Sequence, residues 1–353
     1  MLKKLYLVAA TLTQPHLTFP FSSRRYFKML KPSSEIPANT LAARVHHFGG
    51  PENIVVEEIP TPSPERAQVL VKVEAAGVGP WDGWIRGGNS VLPQPLPLTL
   101  GSDLSGVVVA VGSDVSDFKV GDGIFGVTNK RFTDAYAHYA IAQADMIAIK
   151  PASLDAIEAA SIPVIAVTAW QGLFDHAHVK AGQTVLIHGG AGGVGAYAIQ
   201  FAKKAGARVI TTSSAKDAAY VRTLGADVVI DYNSERFEAI AKDVDAVIDL
   251  VGGDTQTRSF PVLKQGGFLI SAVSAPDQDL AKKHGVTAMF FLVDVTSQVL
   301  TAIAKQIDEG GITTNVGPIF QLDKVKDVHE ILEGKRPRPG GKIVITMAPQ
   351  TQS

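Results

Sequence analysis

Cysteine is absent from this 353-residue chain. Its absence excludes disulfides, thiolate catalysis, Cys-ligated zinc and Cys-held iron–sulfur clusters, and it is compatible with the cytosol. A charge excess is also missing. Lys and Arg number 33 against 34 Asp and Glu, for a formal net charge of -1. No long basic face follows, so nucleic acid is not an expected partner. No apolar run reaches the roughly 20 residues that a membrane span needs; the run over 5–12 stops far short. Neither HExxH nor a GxSxG elbow is present, and no triad is evident. His188 has no second histidine at metal spacing. His176 and His178 lie two apart in FDHAHVK, where a metal ligand pair and a solvated loop are the two readings.

Acids are missing from one stretch in particular. The first 34 residues hold none, yet they carry six Lys and Arg: Lys3, Lys4, Arg24, Arg25, Lys28 and Lys31. Setting them aside leaves 27 of the 33 basic residues against all 34 acids, a mildly acidic body. Segment 1–36 reads as a flexible extension or a targeting segment. The chain is expected to be cytoplasmic, or organelle-targeted if this basic segment is a transit peptide.

Beyond it, short strands follow one another. Segments 41–46, 55–58, 68–74 and 105–111 read as strands, and FKVGDGIFGV carries a Gly-Asp turn into another. This succession predicts a β-rich first domain. After Pro163 the rhythm changes. Strands at 184–187, 208–212, 227–231, 245–251 and 267–273 alternate with helices at 193–205, 216–224 and 256–263. Alternation with short connections predicts an α/β domain on a parallel sheet. Its strands VLI, VVI and AVI are apolar throughout, as strands covered on both faces should be. Amphipathic helices at 297–307 and 324–332 and a strand at 342–347 end the pattern. Periodicity alone leaves open which domain these last elements join.

Between strand 184–187 and the next helix lies HGGAGGVG. Gly190, Gly192 and Gly195 are the glycines of a GxGxxG at a strand-to-helix turn, with Gly193 and Val194 between them. Such a turn brings backbone N–H groups and the positive end of a helix dipole to a pyrophosphate. The reading assigns the tight turn to Gly190, the close approach to Gly192, and the helix packing to Gly195. No GK[ST] follows, which argues against a P-loop. An NAD site ordinarily places an acid after the second strand to take the ribose hydroxyls. Here that strand, ARVITT, runs into Ser213, Ser214, Ala215 and Lys216, with no acid before Asp217. Hydroxyls and a cation suit a 2'-phosphate through charge-assisted hydrogen bonds, so NADP(H) is the expected cofactor. Tyr232, after the third strand, stands ready to contribute a hydroxyl or to stack.

Several further stretches carry a resemblance: AAGVGPWDGWIRGG (75–88), GSDLSGVVVAVGSDVSDFKVGDGIFG (101–126), VTAWQGL (167–173), HGGAGGVG (188–195), LGADVVIDY (224–232) and GGKIVI (340–345). With them the chain resembles the medium-chain dehydrogenase/reductase superfamily, in its zinc-free quinone oxidoreductase branch, over nearly all of 41–347. The resemblance implies a two-domain α/β fold: a GroES-like β-rich catalytic domain at 37–157 and 294–350, and a Rossmann NADP-binding domain at 158–293. It implies a nicotinamide in the cleft between them, and it admits a homodimer. Zinc alcohol dehydrogenases of this superfamily have a Cys ligand near Val78–Pro80 and a Gly-His-Glu where this chain has Gly101-Ser102-Asp103. Ser102 replaces that histidine and no Cys exists, so no metal site is expected.

Carried over by position, Thr168 looks like the residue beside the nicotinamide. Ser213, Ser214, Lys216 and Tyr232 look like the 2'-phosphate group, Val251 and Gly252 lie along the cofactor, and Ser271, Ala272 and Val273 approach the carboxamide. The branch often has Asn-Pro-Val-Asp with a Lys two residues on. Here Gly79 replaces the Asn and Trp84 the Lys, which implies an aromatic wall. Trp81 and Trp84 either stack on a flat substrate or fill core. Asp82 and Tyr136 are candidate pocket groups, with Asn129 a further one, and Asp82 with Arg86 either faces the cleft or forms a bracing ion pair. The implied activity is zinc-independent hydride transfer from NADPH to a small hydrophobic quinone or an activated C=C bond. The alternatives are an enoyl-thioester reductase and an NADPH-binding protein without catalysis.

Overall fold

The computed structural model describes residues 36–338 and 340–347. All of the basic extension except Ile36 lies outside the described residues, as do the last residues of the expected catalytic domain. Among the described residues no helix is long and apolar enough to cross a membrane.

The alternation from Thr184 onward builds a six-stranded sheet. Its order is Val228–Asp231, Arg208–Ser213, Thr184–His188, Val244–Asp249, Leu263–Ser271 and Thr287–Phe290, and every neighbouring pair is parallel. Between Thr184–His188 and Val244–Asp249 the winding reverses direction. Such a switch point leaves a crevice at the carboxyl ends of the strands, where ligands of open α/β sheets bind. Val185, Leu186, Ile187, Val247 and Ile248 are all buried, which accounts for the unbroken apolar runs. The edge strand Val228–Asp231 buries only Ile230 fully.

The earlier strands form a second, mostly antiparallel sheet of seven strands around Gln68–Gly77 and Asp103–Val111. The chain's last strand, Lys342–Thr346, returns to this sheet. It runs antiparallel to Gln68–Gly77 and parallel to Val316–Gln321. A third, three-stranded sheet has the order Ile54–Pro60, Asn39–Val45 and Leu98–Thr99. The molecule is thus a two-domain α/β protein with one GroES-like and one Rossmann-like sheet.

Three expected elements end elsewhere, among them the strand expected over 267–273, which runs Leu263–Ser271. The strand expected over 245–251 stops at Asp249, because that carboxylate takes the N–H groups of Val251 and Gly252 at 3.0 and 2.8 Å and turns the chain. The helix expected over 256–263 is Gly253–Ser259 followed by a tighter turn, Phe260–Val262; Pro261 has no N–H to continue the α ladder. Helix Pro163–Trp170 carries no amphipathic signal because every residue from Pro163 to Ala169 is buried. It continues as a π-helical turn, Gln171–His176.

Candidate active site

The strand Thr184–His188 delivers the chain into the glycine turn, and helix Gly193–Lys204 leaves it. The positive φ of the turn falls on Gly189, at +76°, and not on Gly190. Gly190 is required for another reason: a Cβ there would stand 2.0 Å from Thr211 Oγ1 on the neighbouring strand. The turn role expected of Gly190 therefore belongs to Gly189. At Gly195 a Cβ would stand 2.3 Å from the Gly189 carbonyl oxygen, so this glycine lets the helix close on the loop. Gly192 differs from both. Its Cβ position touches only the Gly189 carbonyl oxygen, at 3.2 Å, and its backbone is extended (φ -74°, ψ 167°) with no side chain capping the helix. The first-turn N–H groups, including those of Gly193, Val194 and Gly195, have no carbonyl of their own helix to bond, and Gly192 and Gly193 are exposed. This is an open cradle with free donors at the positive end of a 12-residue helix, which fits a pyrophosphate.

After the second strand, Ser213 and Ser214 are buried and Lys216 is exposed. The exposed Tyr232 sits beside them, its N–H bonded to Ser213 O at 3.2 Å. Two acids border this loop, and both are engaged. Asp217 accepts from Ser214 Oγ at 2.6 Å. Asp231, opposite Ser213 in register, accepts from the Asn233 N–H and from Ser234 Oγ, and these bonds hold its carboxyl below the usual range. Sequence order hid Asp231, which strand pairing brings to the loop.

At the ends of the fourth and fifth strands Asp249 gathers the chain. Besides Val251 and Gly252 it accepts from Gln256 Nε2 and from Ser271 Oγ, both at 2.9 Å. Ser271 is fully buried and in turn takes the Val273 N–H at 3.3 Å. Ser271 therefore shapes the loop, while Ala272 and Val273 border the cleft. Val251 is exposed beside the Gly189 turn.

Between the two sheets lies a cavity of about 550 Å³. Trp81, Trp84 and Phe132 line it from the first sheet's side; Thr168, Val194 and Phe291 line it from the parallel sheet's side. Thr168 Oγ1 donates to Val164 O at 2.7 Å, which turns its methyl group free of that bond. Lys130 and Arg131 stand at the rim and are exposed. A second cavity of about 240 Å³ runs from the cradle at Gly192 and Gly193 to Arg338 and Lys342, and Arg338 borders both. Arg338 is a candidate that the sequence reading missed. Its one signal is its place as the last cation of the run KRPR, ahead of the Gly-Gly that precedes the last strand.

Two expected pocket groups are not in the pocket. Asp82 and Tyr136 are both 0% exposed. Asp82 Oδ2 accepts the Gly79 N–H and the Tyr136 hydroxyl, each at 2.8 Å, and so caps helix Pro80–Arg86. Burial raises the Asp82 carboxyl to about 7 and pushes the Tyr136 phenol up. Arg86 does not brace Asp82; it pairs with Glu333. Asn129 is likewise structural. Its amide donates to Thr133 O and Asp134 Oδ2, and its carbonyl takes the Arg131 N–H. His188 is a satisfied core histidine, bonded to Thr212 and Ser259, and burial lowers it to about 4. His176 and His178 pack on Phe291 and Phe268. Among the described residues no three His, Asp or Glu side chains gather in a metal-binding arrangement.

Known proteins share this arrangement. Residues 65–152 match the alcohol dehydrogenase GroES-like domain, and residues 224–345 match the zinc-binding dehydrogenase family. The human quinone oxidoreductase is 33% identical over 306 residues, covering 82% of this chain and 92% of the human one. The chain belongs to the medium-chain dehydrogenase/reductase superfamily, in its quinone-oxidoreductase-like branch. It is an oxidoreductase, and it lacks the zinc-binding residues usual in that superfamily: the chain has no Cys, and the described residues gather no metal-ligand cluster. A chloroplastic NADPH-dependent alkenal/one oxidoreductase of Arabidopsis thaliana is 32% identical over 330 residues, covering 90% of this chain and 82% of its own. The solved quinone oxidoreductase of Coxiella burnetii superposes with a TM-score of 0.81 at 37% identity, covering 88% of this chain and all of that one.

Proposed function

We propose that this protein is an NADPH-dependent, zinc-independent reductase of quinones or of activated C=C bonds in enones and alkenals. The observation that carries the reading is continuity: the open cradle at Gly192–Gly193 leads directly into an apolar, aromatic-walled cavity. The names of the human and Arabidopsis relatives agree with it. The cofactor, when bound, supplies a hydride to an electron-poor carbon. The cradle's N–H groups and Arg338 hold its pyrophosphate. Lys216 and Tyr232 take the 2'-phosphate, and Ser213 and Ser214 join them when their hydroxyls turn from Ser214 O and Asp217 to the phosphate; Asp231 is already committed to other donors. Thr168, Ala272 and Val273 flank the nicotinamide, and Val251 and Gly252 run along the cofactor.

A conjugated acceptor needs less polarisation than an isolated ketone, which suits a cavity whose described lining gathers no set of metal ligands. Its developing oxygen charge is met by polar groups at the cavity border, among them Asn89 and Ser90. Asp82 and Tyr136 are sealed away and pass no proton to this cavity, so solvent supplies the final proton. The rim cations Lys130 and Arg131 favour a second reading, an enoyl thioester whose phosphorylated carrier reaches out of the cavity. NADPH oxidation by the purified chain, assayed against ortho-quinones, alkenals, small enones and enoyl thioesters, tests the proposal. Turnover of quinones or enones is the expected result. Turnover of thioesters alone would move the assignment to the second reading, and no turnover with any of them would end both.

A further inference from the structure

The large cavity is apolar from its floor to its mouth. Ile85 and Ile165 line it and are buried. Four more of its lining side chains, Trp84, Val91, Leu92 and Leu292, are 42% to 77% exposed. They come from both sheets' sides. Trp84 lies on helix Pro80–Arg86, and Val91 and Leu92 on the connection from that helix to strand Leu98–Thr99. Leu292 lies just past Thr287–Phe290, the edge strand of the parallel sheet. Large apolar side chains left in water together at one opening mark a place that an apolar group covers. In the proposed reading the acceptor's reacting carbon sits beside the nicotinamide that Thr168 and Ala272 flank. The exposed four offer that reaction neither charge nor hydrogen bond. They do share one cavity with the buried lining, so a hydrocarbon chain leading away from the reacting head meets apolar surface as far as solvent. The charged groups of the same lining, Lys130, Arg131 and Asp294, are themselves exposed; they keep their hydration, and an uncharged chain needs no partner among them.

We propose that this mouth is a subsite for an aliphatic tail, and that the acceptors of this protein are amphiphilic: an electron-poor head carrying an uncharged hydrocarbon chain several carbons long. The proposal rests on the reductase reading for the head and goes beyond it for the chain. A small acceptor without a tail leaves the exposed four wet. A tailed one covers them and takes its own methylenes out of water. Full burial of a methylene corresponds to about fourfold in affinity and half burial to about twofold, less what ordering the chain costs. Selection among acceptors is then set by length as well as by the reacting group.

Two experiments test this. The first compares kcat/KM for but-2-enal, hex-2-enal, oct-2-enal and dec-2-enal, and for a matching series of alkyl-substituted benzoquinones, each below its solubility limit. A climb of about two- to fourfold per methylene is expected. Val91→Ser combined with Leu292→Ser changes two exposed side chains, where substitutions barely move stability. In this variant the ratio of the longest to the shortest acceptor is expected to fall about tenfold. No dependence on chain length, or an unaltered ratio in the variant, would overturn the subsite. The second experiment needs no turnover. Anilinonaphthalene sulfonate, which brightens on apolar surface, is expected to be displaced from the wild type by decanol and not by butanol, with decanol about tenfold weaker on the variant. Equal displacement from the two proteins would overturn the proposal. If the wild type reduced no acceptor yet released the dye to decanol in this manner, the reductase reading would fail and the hydrocarbon subsite would stand. If the variant instead lost self-association in sedimentation while decanol displaced the dye equally well, the exposed four would be a contact between copies of this chain, and the subsite would be refuted.

Discussion

At Asp82 two hydrogen bonds converge on one carboxylate oxygen, and the other, Oδ1, has no partner among the described residues. A proton can sit on Oδ1 without breaking either bond, while burial penalises the charge. Hence the carboxyl rises from its ordinary 3.8 to about 7. The sign of the pH effect follows. Between about pH 4 and 7 the folded chain holds a proton that the unfolded chain has released, so this group's contribution to stability is fully present at low pH and is lost as pH rises through the folded value. The steepest slope is roughly 1.4 kcal/mol per pH unit. Asp82→Asn keeps a carbonyl oxygen for both donors and cannot ionise. Urea unfolding at pH 5, 6, 7 and 8 is therefore expected to show the wild type losing stability relative to Asp82→Asn across that range, with the gap widening toward pH 7. A constant gap would mean that Asp82 is ionised throughout. The residue names alone suggested a cleft acid here; only three-dimensional packing reveals a sealed helix cap.

The glycine turn argues at the scale of one element, since its glycines are needed for different reasons. Gly195→Ala gains helix propensity but drives a methyl into a backbone carbonyl at 2.3 Å, and overpacking of this kind costs about 1–3 kcal/mol. Gly192→Ala keeps an ordinary extended backbone and meets nothing but one oxygen at 3.2 Å. It costs about 1 kcal/mol at most, as Ala is a poor N-cap, but it fills the cradle. Thermal unfolding with calorimetric titration is expected to separate them: Gly195→Ala chiefly destabilised, Gly192→Ala nearly as stable as wild type with NADPH binding weakened at least about tenfold. If Gly192→Ala bound NADPH normally, the cradle would not be the pyrophosphate site. This turn was legible in the sequence because local backbone chemistry dictates it, as were the parallel strands, whose two-sided burial writes an apolar run. Helix Pro163–Trp170 was not, because burial on every side erases the 3.6-residue period. Helix Pro80–Arg86 was not, because two tryptophans and a glycine in seven residues leave no pattern. Arg338 and Asp231 escaped because the return of the last strand and the pairing of parallel strands bring them to the sites they border, and Asp249 because only the fold shows that its carboxylate gathers Val251, Gly252, Gln256 and Ser271.

That return makes ligand binding a property of the whole molecule. The cradle belongs to the parallel sheet, whereas Arg338 and Lys342 arrive with the strand that rejoins the first sheet, and one continuous cavity touches them all. A cofactor seated there bonds to both halves and stabilises the native chain by mass action, by about 2.7 kcal/mol at a hundred times its Kd. For a chain of this length that is a rise in Tm of several degrees. The 2'-phosphate reading then makes a comparison possible without any substrate. NADPH is expected to raise Tm more than NADH at equal concentration, Lys216→Ala to erase most of that difference, and Arg338→Ala to lower both shifts together, because the pyrophosphate is common to the two cofactors and the 2'-phosphate is not. Differential scanning fluorimetry of the three proteins with each cofactor reads all of this. Equal shifts with NADPH and NADH in the wild type would remove the basis for assigning NADP, and a response of Arg338→Ala confined to NADPH would move that arginine from the pyrophosphate to the 2'-phosphate.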